Sequence, residues 1–273
     1  MRKLTFVSKI SAITVGVLLL SACGGSSDST SSGDSHNPGT VQPKPQPQPT
    51  PPKPTPPAIV QPAKATTLAA TGITTCGNDL LNGLPCDKLS ADFKGLQQDG
   101  EVKAGTAMSY KVLNQNGHEC VQDLATGLIW EQKTHDNGMH DFKHTYTWYS
   151  DDKKINGGVV GTKNGGTCSD KGKCDTKAFI DTLNEQKYCG YSDWRLPDIG
   201  ELQSLADYSK TPGLNSVFTH STDKIDAAYW SSTLQSDEED TENKYVYAFD
   251  FAKLSYSDRS KQSKQAVRAV RSN

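Results

Sequence analysis

The spacing of apolar residues predicts short helices and strands only beyond about residue 66. Residues 244–251 alternate between aromatic side chains on one side and mostly small side chains on the other, which predicts a β-strand. Residues 178–186 and 199–205 carry apolar side chains at helical spacing instead, which predicts two helices. Their closeness in the chain places both helices between groups of strands.

Several shorter segments are rich in residues that favour strands. Asp123 to Trp130 contains a turn between two apolar runs, so we expect a hairpin whose Gly127 adopts a positive φ. Thr176 is the expected N-cap of the first helix, which would end near residue 187, and the second helix would run from Asp198 to about residue 208. The other predicted strands are residues 106–112, 145–149, 228–233 and 266–271. This order predicts an α+β fold with mainly antiparallel strands and two short helices.

Residues 189–202 join an extended segment to the second helix. Pro197 excludes a continuous strand or helix interior there, and Asp198 with Glu201 three residues later forms a capping-box pattern. Trp194 is expected to enter the core. Arg195 points to the opposite side, where we expect it to satisfy a buried carboxylate or backbone carbonyl groups.

The first residues have the composition of an export signal. Three basic residues precede an apolar run that is short for a membrane span, so residues 1–22 are predicted to be a signal peptide. The sequence Leu-Ser-Ala-Cys ending at Cys23 resembles the lipobox of bacterial lipoproteins, in which that cysteine is acylated. The same resemblance, with Gly24 next, implies outer-membrane anchoring and exposure at the cell surface. An ordinary secretory signal is the alternative.

Composition separates a tether from the folded part. Residues 23–65 are rich first in Gly and Ser and then in Pro, which predicts a disordered tether with polyproline II character. The 273-residue chain has a formal charge of −2, which argues against nucleic-acid binding. We therefore expect a membrane-anchored protein with a folded part beyond the tether. Residues 66–117 are expected to form an N-terminal disulfide-closed extension, and residues 118–273 a globular domain.

The cysteines beyond Cys23 are even in number, and an exported protein meets an oxidising environment. Three disulfides are the expected outcome. Short loops favour Cys76–Cys86 and Cys168–Cys174, which leaves Cys120–Cys189. A zinc site is the alternative, but the sequence contains no C-x-x-C pair.

Four motifs in order resemble one known family. They are D-x-x-T-G-L-I-W at 123–130, C-G-Y-S-D-W-R-L-P at 189–197, Y-W-S-S-T at 229–233 and V-R-A-V-R at 267–271. Together they resemble the C-terminal domain of the Legionella collagen-like adhesin, over residues 118–273. A more distant similarity to the formylglycine-generating and C-type-lectin-like fold implies a C-type-lectin-like domain. The adhesin implies binding to sulfated glycans and attachment to host surfaces.

Enzymatic chemistry finds little support in the sequence. No cysteine follows Cys189, so the copper-binding pair of formylglycine-generating oxidases is missing, and no G-x-S-x-G motif occurs. His135, His140 and His144 lie close in sequence, but their polar surroundings favour an exposed loop over a metal site. The acidic residues of 237–242 offer ligands for calcium, although a solvated loop is the simpler interpretation. We expect no catalysis, no cofactor and no metal.

Adhesion or ligand binding is therefore the expected role, with host or matrix glycans or surface proteins as partners. A structural envelope lipoprotein is the alternative, and the oligomeric state is open. The glycan-binding candidates are aromatic and basic residues of the loops around 133–166 and 234–264. They are Trp148, Tyr149, Tyr256, Arg259, Lys261 and Lys264. The alternative is that the aromatic residues belong to the core and the basic ones to a charged hairpin loop. Seven further residues are expected to anchor the fold: Trp130, Trp194, Arg195, Pro197, Trp230, Arg268 and Arg271.

Overall fold

The computed structural model describes residues 67–220, 227–235 and 243–273. The predicted signal peptide, the lipidation site at Cys23, the tether at 23–65 and the acidic segment at 237–242 lie outside the described residues. Within the described ranges, no helix has the length and apolar character needed to cross a membrane.

The described residues form short helices and mainly antiparallel strands, in agreement with the predicted α+β class. The strands are β1 (Cys76–Gly77), β2 (Asn82–Leu84), β3 (Tyr110–Gln115), β4 (His118–Asp123), β5 (Leu128–Glu131), β6 (Tyr229–Leu234), β7 (Tyr245–Asp250), β8 (Ser255–Ser260) and β9 (Val270–Ser272). The helices are α1 (Asp99–Val102), α2 (Thr176–Glu185) and α3 (Ile199–Ser204), with 3₁₀ turns at Cys86–Lys88 and Tyr188–Gly190.

Two antiparallel sheets build the domain. One has the order β3-β4-β5-β9 and the other the order β6-β7-β8, while β1 and β2 form a separate pair. The last strand, β9, pairs with β5, so the end of the chain closes the first sheet. Strand β3 belongs to the region expected as an extension, yet it pairs with β4 along its whole length. The extension and the domain therefore share a sheet.

The β-hairpin at Gly127 forms as expected, and its φ is +78°. Other strand predictions were wrong in extent. The strand expected at 106–112 lies at Tyr110–Gln115, because its partner β4 fixes the register. Residues 145–149 form no continuous strand, since they bridge singly to several different segments. Strand β8 was not predicted because its sequence, Ser-Tyr-Ser-Asp-Arg-Ser, lacks apolar alternation.

Both predicted helices exist but are shorter than expected. The N-cap of α2 is Asp175 rather than Thr176, because the Asp175 carboxylate accepts the Ala178 N–H at 2.8 Å while the Thr176 hydroxyl donates to Tyr149. Helix α3 has the expected capping box, in which the Asp198 carboxylate accepts the Glu201 N–H at 2.8 Å. It ends at Ser204 because the following residues turn towards a bridge between Ala206 and Leu214.

The core has two neighbouring clusters of buried side chains, and the predicted tryptophan anchors lie in them. Trp194 and Trp230 belong to the first cluster, with α2, while Trp130 belongs to the second, with α3. All three tryptophans are at most 2% exposed, and Pro197 is also buried. Burial of such large side chains is the main stabilising contribution expected for the domain.

The three disulfides join the expected pairs, two of them across short loops. Cys76–Cys86 closes the loop between β1 and the first 3₁₀ turn, and Cys168–Cys174 closes a loop before α2. Cys120–Cys189 joins β4 to the 3₁₀ turn after α2, across 69 residues of sequence. This long-range bond attaches the segment of Trp194 to the first sheet.

The three predicted anchor arginines have defined partners. Arg195 forms two 2.7 Å hydrogen bonds to the carboxylate of Glu201, the buried carboxylate expected from the sequence. Its backbone also exchanges two hydrogen bonds with Val270, which attaches this segment to β9. Arg268 is fully buried, whereas Arg271 pairs with Asp193 at 2.7 Å near the surface.

Candidate functional site

The outer side of β7 and β8 carries exposed aromatic side chains. Val246 and Ala248 of β7 face the core, so the alternating Tyr245 and Tyr247 point outward. Directly opposite residues of antiparallel strands share a side, and Tyr247 lies opposite Asp258 while Tyr256 lies opposite Phe249. Tyr245, Tyr247, Tyr256 and Asp258 therefore share one surface, which we call the tyrosine face.

The tyrosine face is solvent-accessible and internally supported. Tyr256 is 54% exposed and Tyr245 is 39% exposed, and no other tyrosine, tryptophan or phenylalanine of the described ranges is as open. The rings of Tyr247 and Tyr256 pack edge to face, with their centroids 5.4 Å apart. Phe249 is fully buried on the same strand. Phe249 belongs to the second core cluster and lies opposite Tyr256, so the tyrosine face borders the core at this end of β7.

The turn between β7 and β8 is held by Asp250. Its Oδ1 accepts the backbone N–H groups of Ala252 and Lys253 at 2.9 and 3.1 Å. Its other oxygen lies 2.8 Å from the Lys253 ammonium. This lysine therefore compensates a carboxylate of the turn, and its charge contributes little to a basic patch.

Lys261 does not belong to an exposed basic patch, so its assignment as a glycan-binding residue was wrong. It is 2% exposed, and its ammonium donates to the carbonyls of Asn156 at 2.9 Å and Val159 at 2.8 Å. The ammonium also lies 4.6 Å from the centroid of the Trp148 ring. Lys261 thus fixes the loop at 156–159 from inside.

Trp148 was also wrongly assigned to a binding surface. Its side chain is fully buried, and its indole N–H donates to the Ser231 carbonyl at 3.0 Å. Tyr149 is half-buried, with the Lys163 ammonium 5.7 Å from its ring centroid. Arg259 is half-buried opposite the core residue Val246, while Lys264 is exposed. The six glycan candidates therefore do not form one surface, and Tyr256 alone among them lies on the tyrosine face.

A cleft of about 480 Å³ opens beside the start of α2 and α3. Its apolar wall consists of Tyr149, Ile155, Ile180 and Leu196. Small-molecule sites in proteins are concave, mostly apolar and of about this size. The cleft is lined by other elements than the tyrosine face, because its residues come mainly from 148–155, α2 and 195–201.

A group of buried charges lies where β5 leaves the first sheet. Glu131 and Lys133 are at most 3% exposed, and the Lys133 ammonium lies 2.8 Å from Glu131 Oε1. The same oxygen lies 2.9 Å from His140 Nδ1, and Oε2 accepts the Ala269 N–H at 3.0 Å. Arg268 donates to the Glu131 carbonyl at 2.7 Å. We call Glu131, Lys133, His140 and Arg268 the buried charge centre.

Electrostatics within the buried charge centre favour an ionised Glu131. Burial alone would raise the pKa of this carboxyl, but the Lys133 charge and the His140 contact outweigh it and lower the pKa to about 2. Burial is the dominant influence on Lys133 and lowers its pKa. The ion pair is enclosed by protein, and the hydrogen bonds that Glu131 accepts from Ala269 and Arg268 join β5 to the segment before β9.

The two other histidines of this segment, His135 and His144, contact groups outside the buried charge centre. His144 Nε2 lies 2.8 Å from the Gly138 carbonyl, and His135 packs edge to face on Phe142. Over the described ranges, no three His, Cys, Asp or Glu side chains converge in a way that would hold a metal ion. The acidic residues proposed as calcium ligands, at 237–242, lie outside those ranges.

Sequence reasoning missed two parts of this arrangement. Tyr245 and Tyr247 were recognised as one side of a strand, but nothing local indicated that this side faces solvent. Glu131 and Lys133 lie two residues apart and so on the same side of an extended chain, directly after three apolar residues. That pairing at the end of a buried strand was a usable signal for a buried ion pair.

Comparison with known proteins gives one match. The sequence model of the family described as the Lcl C-terminal domain matches residues 119–271, which is more than half of the chain. The matched segment begins within β4 and ends within β9, so it includes both core clusters, the tyrosine face and the cleft. No curated protein and no solved structure gives a significant match to the chain.

Proposed function

This chain belongs to the Lcl C-terminal domain family, and we propose that it is a non-catalytic adhesion module at the bacterial cell surface. The family match carries this proposal, because the Legionella collagen-like adhesin that the motifs resemble attaches to host surfaces. A C-type-lectin-like fold is part of the proposal. The pairing of the last strand, β9, with β5 supports it, since such closure unites the two ends of the domain.

We place ligand binding on the tyrosine face. Tyrosine offers a large, rigid and amphipathic contact area at low conformational-entropy cost, and serine adds adaptable hydrogen bonding. Strand β8 supplies both, since Ser260 lies opposite Tyr245 and therefore on the same side of the sheet as Tyr256. The apolar C–H side of a sugar ring can pack on such aromatic rings, while sugar hydroxyls bond to the phenols and to Asp258.

The acidic side chain of Asp258 on the tyrosine face favours neutral over sulfated glycans. Lys261 is buried, Lys253 lies beside Asp250, and Asp258 contributes a negative charge to the tyrosine face itself. The whole chain is acidic as well, with a formal charge of −2. A sulfated ligand would meet repulsion instead of the arginine and lysine groups that usually bind it.

The absence of catalysis is part of the same proposal. Formylglycine-generating oxidases, which the motifs resemble more distantly, hold copper with a late pair of cysteines, and this chain has no cysteine after Cys189. The strongly perturbed acid, Glu131, is enclosed and already paired. A purely structural envelope role is the competing possibility, and it predicts that no exposed tyrosine affects binding.

The proposed location rests on the N-terminal sequence. We propose that Cys23 is acylated and anchors the chain in the outer membrane, with the proline-rich residues as a spacer. Metabolic labelling with palmitate should mark the wild-type chain and leave Cys23→Ala unlabelled. Protease or biotin labelling of intact cells then tests exposure. A domain that reacts only in broken cells would contradict an adhesive role.

A glycan array with the chain from residue 24 onward tests the binding site. We expect binding to neutral glycans that Tyr256→Ala and Tyr245→Ala weaken by about tenfold, since each removes an aromatic contact worth roughly 1–1.5 kcal/mol. Lys264→Ala is the matched control, because it removes an exposed charge that lies outside the tyrosine face. Binding to sulfated glycans that depends on Lys264 and not on the tyrosines would overturn the assignment.

A further inference from the structure

The cleft beside α2 and α3 is lined by side chains that differ in chemistry from those of the tyrosine face. Its volume of about 480 Å³ falls inside the range of pockets that hold small molecules. The side chains of Tyr149, Ile180 and Leu196 are half-buried, and Ile155 at its edge is 40% exposed. The cleft thus offers an apolar surface that is open to solvent.

The cations of the cleft are paired within the protein, and the Asp198 carboxylate caps α3 by accepting the Glu201 N–H at 2.8 Å. Arg195 holds both oxygens of Glu201 at 2.7 Å, in the bidentate geometry that satisfies a guanidinium best. Lys177 lies 2.5 Å from Asp181 and 3.9 Å from Asp151. An ionic ligand would have to compete with these pairs, so the cleft gives no advantage to an anion or a cation.

Three of the four hydroxyl groups that line the cleft are engaged as well, and the fourth is the phenol of Tyr149. The Thr176 hydroxyl donates to the Tyr149 carbonyl at 2.9 Å, and the Ser232 hydroxyl donates to the Pro197 carbonyl at 3.2 Å. The Ser150 hydroxyl oxygen accepts the Asp152 N–H at 3.2 Å. A polyhydroxylated ligand such as a sugar would find few free partners here and would lose hydrogen bonds to water.

We propose that this cleft binds an uncharged, largely apolar small molecule. The paired charges gain little from an ionic ligand, and the hydrogen-bonded hydroxyls disfavour sugars. The apolar wall is stabilised when aromatic or aliphatic groups of a ligand cover it. The ligand gains its affinity from displaced water and from the fit to Tyr149, Ile180 and Leu196. This site is independent of glycan binding at the tyrosine face.

Two fluorescent probes with closely related ring systems test the proposal. N-phenyl-1-naphthylamine is uncharged, and 8-anilinonaphthalene-1-sulfonate adds one sulfonate. With the chain from residue 24 onward, we expect saturable, one-site binding of the uncharged probe at least about tenfold tighter than that of the sulfonate, because an unpaired charge is disfavoured in an apolar site. Equal affinity for both probes, or no saturable binding of the uncharged one, would overturn the proposal.

A matched pair of variants locates the site. Ile155→Asp places a charge at the edge of the cleft and should weaken the uncharged probe about tenfold or more. Val160→Asp is the control, since Val160 lies in the same loop, is 45% exposed and does not line the cleft. Thermal unfolding checks that both variants fold. If the two substitutions weaken the probe equally, or neither does, the probe binds elsewhere and the proposal is wrong.

The same variants separate this proposal from glycan binding. Tyr256→Ala should leave binding of the uncharged probe unchanged, and Ile155→Asp should leave glycan binding unchanged. If Tyr256→Ala abolishes probe binding, the probe occupies the tyrosine face and the cleft site is refuted. If glycan binding fails while the probe results hold, only the proposed function is refuted.

Discussion

Replacing Glu131 by Gln should destabilise the domain more than any surface substitution. The carboxylate receives Lys133 and His140 at one oxygen and the Ala269 N–H at the other. A glutamine side chain offers one acceptor oxygen and one NH₂ donor. Its NH₂ group would therefore face another donor, either Lys133 and His140 or the Ala269 N–H. Lys133 would also remain buried without its anion, and the positive charge of Arg268 nearby would make this worse.

The expected size of the effect follows from the burial of both partners. Glu131 is fully buried and the Lys133 side chain is 2% exposed. Removing one member of a buried pair costs about 3–5 kcal/mol, because the remaining charge is uncompensated. This is a large part of the roughly 5–15 kcal/mol that stabilises a typical domain. Asp181→Asn is the matched control, since it breaks the exposed Lys177–Asp181 pair and should cost at most about 1 kcal/mol.

The same carboxylate should make the domain sensitive to acid. The pKa of Glu131 is lowered from 4.5 to about 2 on folding, so the folded state favours the ionised form. The resulting stabilisation is present above pH 4.5 and is lost as the pH falls towards 2. At about 1.4 kcal/mol per pKa unit, it is on the order of 3 kcal/mol. Glu131→Gln should flatten this part of the pH dependence.

Urea unfolding of the chain from residue 24 onward, with its disulfides oxidised, measures these changes through tryptophan fluorescence. The double variant Glu131→Leu/Lys133→Met removes both charges and should recover part of the stability lost in Glu131→Gln. If Glu131→Gln costs no more than Asp181→Asn, the charge pair does not stabilise the fold. If the double variant is less stable than Glu131→Gln, loss of packing and not an uncompensated charge explains the effect.

Three further substitutions test other parts of the fold by the same unfolding measurement. Asp198→Ala removes the cap of α3 and should cost about 0.5–2 kcal/mol, whereas Asp198→Asn should retain most of the stability. Cys120→Ala/Cys189→Ala opens a 69-residue link and should cost about 2–5 kcal/mol; a loss below this range would show that packing alone holds the segment. Gly127→Ala meets no atom within 4 Å but must adopt a φ of +78°, so it should cost about 1–2 kcal/mol, and an unchanged midpoint would contradict that reasoning.

The features that the sequence predicted well depend on neighbouring residues. The capping box at Asp198 and the hairpin turn at Gly127 are set by side chains and glycines within a few residues, so their patterns are readable locally. The short disulfide loops are readable for the same reason. The partner of Arg195 was expected to be a carboxylate, and Glu201 lies only six residues away.

The features that the sequence did not predict depend on distant partners. Strand β8 is polar and forms because β7 offers a complete antiparallel ladder from Tyr245 to Asp250. Residues 145–149 have strand-like composition, yet each contacts a different segment, so no ladder develops. Local preference for strands is weaker than the choice of partner in both cases.

Charge and aromatic character were the two signals used to find a binding surface, and tertiary structure separates them. Lys261 and Tyr256 are five residues apart, but Lys261 crosses inward to the carbonyls of 156–159 while Tyr256 remains 54% exposed. A lysine can enter the core when carbonyls and an aromatic ring compensate it, as Trp148 and Asn156 do here. Since Lys261 is held inside and Tyr256 outside, the two residues cannot serve one binding surface, although they lie close in the sequence.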